Sequence, residues 1–225
     1  MKAKVSFDGS LDEVVFLNET AQKDDKHDQI YFKVIVLLLC AKLEKYVKDS
    51  AKEYIDELID LKLTKDKLPD KFVLQILKNE LEKIRESTVE QYVQKEHHRE
   101  SARNLSLIWD SKYVCKGLVK DEFTVSISNN GTTAFEDAYK KIGFPDVIKN
   151  MNDYVIPDDN KLTQTAVSVK DQINKIILLR HNIIHDDASP QLAVKDINLF
   201  VNISRFFVTQ IDGALSAALA ELKAK

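Results

Sequence analysis

The chain has 225 residues, a mass of 25.7 kDa, 44% hydrophobic and 31% charged residues, which fits one large domain with a sizeable core. Only 5 Gly and 4 Pro argue against a many-turned β fold and for helices. A net charge of −3 and a pI near 6.0 exclude the global basic field of a tight non-specific nucleic-acid binder, while leaving room for contacts to a few phosphates.

The opening MKAKVSFDGSLDEVV carries no apolar segment of signal-peptide type, so a soluble, cytoplasmic protein is expected. Residues 1–9 read as a short edge strand or an ordered tail. A helix is expected from Asp12 to Lys26, capped by Ser10, with Asp12 and Glu13 in its first turn. A long helix follows from about Asp28 to Leu63. Its apolar residues recur at helical spacing: Ile30, Val34, Leu37, Leu38, Ala41, Leu43, Val47, Ala51, Ile55 and Leu58. The first half is apolar on nearly all sides, as in a helix buried within a bundle. The longest apolar run, VIVLLLCA at 34–41, has eight residues, far short of the ~20 that cross a bilayer. Cys40 lies in this run and reads as a small core residue. Cys115 sits in an unrelated context, so both cysteines are expected to be unpaired, and no cysteine-based zinc site can be built.

KLTKDKLPDK breaks the pattern, and Pro69 marks a fresh start. Residues 70–108 are helix-rich but polar, and the charge run KNELEKIRESTVEQYVQKEHHRES reads as a solvated face. Between 109 and 162 the pattern is least regular. FTVSISNNGTTAF reads as a short strand and a turn at Asn129–Gly131, TTAFEDAYKKIGF as a short helix stopped at Gly143, and YVIPDDNKLT as a loop. A helix then runs from about Thr163 to Ile184, ended by DDASPQ. The last spans about Gln191 to Leu222, with an apolar face of Val194, Ile197, Val201, Phe207, Val208, Ile211 and Leu215. The fold class is all-α: one domain over 1–225, its bundle core at 28–63 and 163–222. Residues 66–162 form a long helix-rich insertion containing a short strand. The short final connection makes the last two helices antiparallel neighbours.

The chemistry-bearing stretch is LLRHNIIHDDASP, Leu178 to Pro190. Arginine is otherwise confined to Arg85, Arg99, Arg103 and Arg205, so Arg180 calls for an explanation. At about 100° per residue, Ile173, Ile176, Ile177, Ile183 and Ile184 all fall within roughly 60° of it. Arg180 is thereby centred on an apolar stripe. A guanidinium cannot shed its charge, so that position demands a carboxylate partner, an outlet to water, or an interface that binds anions.

His181 and His185, four apart, share one side of the last turn. That spacing suits two zinc ligands on a helix. The glutamate that zinc proteases carry after the first histidine is Asn182 here, and no third ligand stands out beyond Asp186 or Asp187. Both histidines equally suit the negative end of a helix, where an imidazolium is favoured. A third reading pairs Arg180 with His185. The arginine stabilises charge on a transferring phosphate while the histidine moves a proton, and RNA supplies its own nucleophile, the 2′-hydroxyl.

RHNIIH, Arg180 to His185, resembles the R–x4–6–H motif of the HEPN superfamily, with His181 as the polar residue favoured after the arginine. VIVLLLCAKLEKYVKDSAKEYI is similar to the opening helix of RiboL-PSP-type HEPN domains, whose recurring small, glutamate and basic residues would be Ala41, Glu44 and Lys48. The resemblance covers about 28–63 and 163–222. It implies an all-α HEPN-like bundle and a metal-independent endoribonuclease that uses no cofactor. It also implies a homodimer with the two motifs facing across one groove. Arg180 would then hold the scissile phosphate and His185 would act as general acid or base. His181 would tune or position the pair, and Glu44 would orient Arg180 or His185. Many such proteins are toxins or phage-defence effectors, which implies RNA as substrate and an antitoxin or defence-system partner. The competing expectation is a catalytically silent HEPN-like module that dimerises and binds a partner or RNA; the acidic pI favours it and the intact Arg180/His185 pair opposes it.

Overall fold

A computed structural model describes residues 1–24, 26–68, 70–85, 96–107, 110, 131–144, 146–157 and 165–224. Its elements in chain order are α1 (Lys2–Ser10), α2 (Asp12–Ala21), α3 (Asp28–Asp60), a 3-10 turn at Lys65–Lys67, α4 (Asp70–Arg85), α5 (Glu96–Leu107), α6 (Thr133–Lys141), β1 (Tyr154–Ile156), β2 (Thr165–Val167), α7 (Val169–His185) and α8 (Val194–Lys223). The all-α expectation holds, with one small sheet in which β1 and β2 pair antiparallel.

The long helix α3 is the axis of the bundle. Phe32, Ile35, Val36, Leu39, Leu43 and Val47 are buried in its first half, and this apolar girth is what lets other helices pack on several sides. Helix α8 runs parallel to α3. Gln29 exchanges two hydrogen bonds with the Leu192 backbone just before α8. The Tyr46 hydroxyl donates to the Val208 carbonyl at 3.1 Å, and Lys223 meets Glu57 at 2.8 Å. Helix α7 runs the other way. Cys40 meets Ile176, and Lys33, earlier on α3, meets Asp187, later than Ile176 in the chain. The last two helices are therefore antiparallel to each other, as their short connection requires. Ile197, Val201, Phe207, Val208, Ile211 and Leu215, from the face expected on the last helix, are all buried.

Several boundaries differ from the sequence reading. Residues 2–10 form helix α1, neither a strand nor a tail. Ala3, Phe7 and Leu11, four apart, are buried together, and the two Glu53 carboxylate oxygens accept from the Lys2 and Ala3 N–H groups at 2.7 and 2.9 Å. That carboxylate satisfies amides a short helix leaves open and suits its positive end. Ser10 does not cap α2. Its hydroxyl donates back to the Phe7 carbonyl at 2.7 Å, and α2 ends at Ala21, earlier than expected. In place of a loop, Tyr154–Ile156 pair with Thr165–Val167. The helix expected from Thr163 starts at Val169, where the Ser168 hydroxyl accepts from the Asp171 N–H. Thr165 and Val167 are β-branched and suit the strand that precedes this cap.

The stretch read as an insertion supplies α6, whose Phe135, Ala138 and Tyr139 belong to the same core as α3 and α8. The Tyr139 and Ser50 hydroxyls are 2.9 Å apart. Gly143, with φ 95°, ends this helix as expected, a backbone setting that favours glycine. The strand and turn expected at 123–130, and Cys115, lie outside the described residues. Among the described residues no helix is long and apolar enough to cross a membrane.

Candidate active site

The site is built where α7 crosses α3. The Cys40 thiol donates to the Ile176 carbonyl oxygen at 3.6 Å. One turn further along its own helix stands Glu44, and one turn beyond Ile176 stands Arg180. Because the helices are antiparallel, these turns lie on opposite sides of the contact. Helical side chains tilt towards the N-terminus of their helix, so both lean back towards Cys40.

The electrostatics agree with that convergence. Burial pushes the Cys40 thiol up to about 12, with the Arg180 guanidinium pulling it down and the Glu44 carboxylate pushing it further up. Two motif residues far apart in sequence thus act on one atom. The Glu44 carboxylate is half-buried, while Ala41 and Lys48, on the same helix, are exposed. Cys40 is buried and unpaired, and a thiol held neutral is no nucleophile.

The stripe around Arg180 is buried on one side only. Ile173, Ile176 and Ile177 are in the core, Arg180 and Ile183 are half-buried, and Ile184 is exposed. Arg180 thus marks the boundary between core and solvent. A fixed charge sits there at less cost than in a closed core.

His181 is half-buried and His185 exposed, their ring centroids 4.5 Å apart with planes inclined at 43°. His181 Nδ1 is enclosed with no hydrogen-bond partner among the described residues. The helix ends on Asp187 at φ 45°, while the Asp186 and Ala188 N–H groups both donate to the Asn182 carbonyl. Aspartate tolerates this left-handed setting better than most residues. Asp187 reaches Lys33 of α3 at 4.0 Å, which ties the end of the motif helix to the start of α3. Among the described residues no group of three or more His, Cys, Asp or Glu is placed to hold a metal ion.

Arg180, His181 and His185 therefore share the solvent-facing end of α7, and Glu44 approaches from α3 through Cys40. The reading of Cys40 as a core residue did not reveal that it lies between the two charges. The antiparallel pairing of two apolar helices is the signal that could have placed it there. Sequence reasoning also missed a set of exposed apolar side chains at this end: Leu178 and Ile184 on α7, Ile30 and Val34 on α3.

An all-α bundle with one small antiparallel sheet among the described residues agrees with a HEPN domain, a class of nuclease and RNA-binding modules. The chain belongs to the RiboL-PSP-HEPN family, whose model matches residues 8–217. That match runs across the intervening 66–162 as well as the helices that carry the motifs. No curated protein and no solved structure matches the chain.

Proposed function

We propose that this chain is a metal-independent endoribonuclease. In this reading the 2′-hydroxyl of RNA attacks the adjacent phosphorus and the bond to the 5′-oxygen breaks. The products are a 2′,3′-cyclic phosphate and a free 5′-hydroxyl. Arg180 holds two phosphoryl oxygens with its planar fork. His185 accepts the proton from the 2′-oxygen or delivers one to the departing 5′-oxygen. Glu44 orients the guanidinium across the α3–α7 contact. What supports the reading is that Arg180, half-buried, and His185, exposed, both stand in the last two turns of α7.

Cleavage uses both a base and an acid, and each chain offers one exposed histidine in the motif. A homodimer that joins two motifs supplies both, which the exposed Leu178, Ile184, Ile30 and Val34 around the site support as an interface. The same reading takes 1–225 as one domain with its core at 28–63 and 163–222, in a cytoplasmic toxin or phage-defence effector restrained by a partner protein. The net charge of −3 favours a second reading, a silent module that dimerises and binds a partner. RNA incubated with the protein in EDTA separates them. Fragments ending in 2′,3′-cyclic phosphate are expected, and intact RNA at every protein concentration would leave the silent module.

A further inference from the structure

The net charge of the chain is −3, yet α7 is locally basic. From Gln172 to His185 it carries no aspartate or glutamate, while Lys175, Arg180, His181 and His185 all lie within that span. At about 100° per residue, Lys175, Leu178, Asn182 and His185 fall within one arc of roughly 80°. Lys175, Leu178 and His185 are exposed and Asn182 is half-buried. Lys175 and His185 therefore share the outer face of the helix, about 15 Å apart along its axis.

Lys175 is also held differently from its neighbours. Lys170 on the same helix is paired with Glu136 at 2.7 Å, and Lys33 on α3 reaches Asp187 at 4.0 Å. Lys175 meets no carboxylate within ion-pair distance among the described residues, and its ammonium stands 5.4 Å from the centroid of the buried Phe200 ring of α8. An aromatic face steadies an ammonium without neutralising it. The result is a positioned, uncompensated cation on the face that carries His185.

We propose that Lys175 binds the backbone of a single RNA strand, at a phosphate further along the strand than the one Arg180 holds. A strand that follows this face from His185 passes no carboxylate of α7 before it reaches Lys175. Local phosphate contacts of this kind let a protein without a global basic field bind a single strand. The effect on cleavage rests on the ribonuclease reading; the binding contact does not.

The test compares Lys175→Met, which keeps the stem and removes the charge, with Lys175→Arg, which keeps a charge. Both are first checked as folded by circular dichroism. The probe is a labelled single-stranded RNA of mixed sequence with every 2′-hydroxyl methylated, so that it lacks its own nucleophile. Binding is read as fluorescence anisotropy over a series of salt concentrations. Lys175→Met is expected to bind several-fold more weakly, with the slope of log affinity against log salt flattened by about 0.7, the share of one phosphate contact on a single strand. Lys175→Arg should bind like the parent. A Lys175→Met that matches the parent in affinity and slope, or a parent that does not bind the strand, would overturn the proposal. With unmodified RNA, Lys175→Met is expected to raise KM for a long strand while kcat holds. A dinucleotide offers only the scissile phosphate and should not register the change. An equal loss on the dinucleotide would also overturn the proposal, because Lys175 would then act at the reaction centre or on the fold. A parent that binds the methylated strand yet cuts no RNA would count against the ribonuclease reading alone.

Discussion

The Cys40 thiol lies 3.6 Å from the carbonyl oxygen of Ile176, a contact that fits one register of the two helices that carry the motifs. Sliding α7 by one turn would move Arg180 by about 5.4 Å relative to Glu44, and the two would no longer bear on one point. Cys40→Leu should therefore disturb the site by overpacking, with a stability cost of about 1–3 kcal/mol and a matching fall in cleavage. Cys40→Ala should fold and cleave RNA, since the thiol takes no part in the chemistry. Urea unfolding of both variants, with their cleavage rates, checks this; an inactive, folded Cys40→Ala would assign the thiol a role in the reaction.

The exposed apolar residues at this end of the bundle predict a dimer. Leu178 and Ile184 are 59% and 49% exposed on α7, and Ile30 is 59% exposed on the turn of α3 that also carries Lys33. Light scattering should give twice the 25.7 kDa of the chain. Ile184→Asp should shift the protein towards monomer and reduce cleavage in step, while circular dichroism stays unchanged. A monomeric parent that still cuts RNA would remove the composite groove from the account.

Gly131 predicts a stability effect away from the site. Its φ is 57°, and a Cβ there would lie 2.5 Å from the Asn174 side-chain oxygen. That oxygen accepts from the Thr132 N–H at 2.8 Å and so ties the start of α6 to α7. Gly131→Ala should cost about 1–3 kcal/mol through backbone strain, measured by urea unfolding; an unchanged midpoint would contradict this local geometry.

Alkaline pH should destabilise the fold. Burial raises the Cys40 thiol from 9.0 to about 12 and the Tyr54 phenol from 10.0 to about 12, and pushes the Tyr46 and Tyr139 phenols up as well. In the unfolded chain these groups lose their protons from about pH 9 upward, while the folded chain keeps them. The unfolded state then binds fewer protons, so stability falls as pH rises. It is fully present below about pH 9 and declines through about pH 12. The thermal midpoint should drop steadily over this window, and a flat profile to pH 11.5 would contradict it.

Much of this architecture was legible because it rests on local periodicity. The apolar girth of α3, the face of α8 and the glycine stop at Gly143 follow from side-chain spacing and from one residue's conformational freedom. The misread parts depend on partners distant in sequence. Lys2–Ser10 becomes helical with Glu53, some fifty positions on, accepting from its first amides. Tyr154–Ile156 becomes a strand only because Thr165–Val167 return beside it. At the candidate site the spacing of Arg180, His181 and His185 was readable on one helix. The extent of burial around Arg180 was not, because the wheel placed Ile184 on a buried stripe although it emerges into solvent. That Glu44 and Arg180 both act on Cys40 needed the antiparallel register that only the packed helices supply.

The most direct test is a double-mutant cycle at Arg180 and His185, read as single-turnover cleavage of a mixed-sequence RNA in EDTA. Folding of each variant is confirmed by circular dichroism, since loss of a half-buried arginine could loosen the bundle. If both residues serve one transition state, Arg180→Ala and His185→Ala should each lose on the order of 10² or more in rate. The double variant should then be little slower than either single one, because removing one member already removes most of what the pair supplies. Cleavage that persists in both single variants, or that stops for the parent when EDTA is added, would contradict a metal-independent reaction centred on this pair.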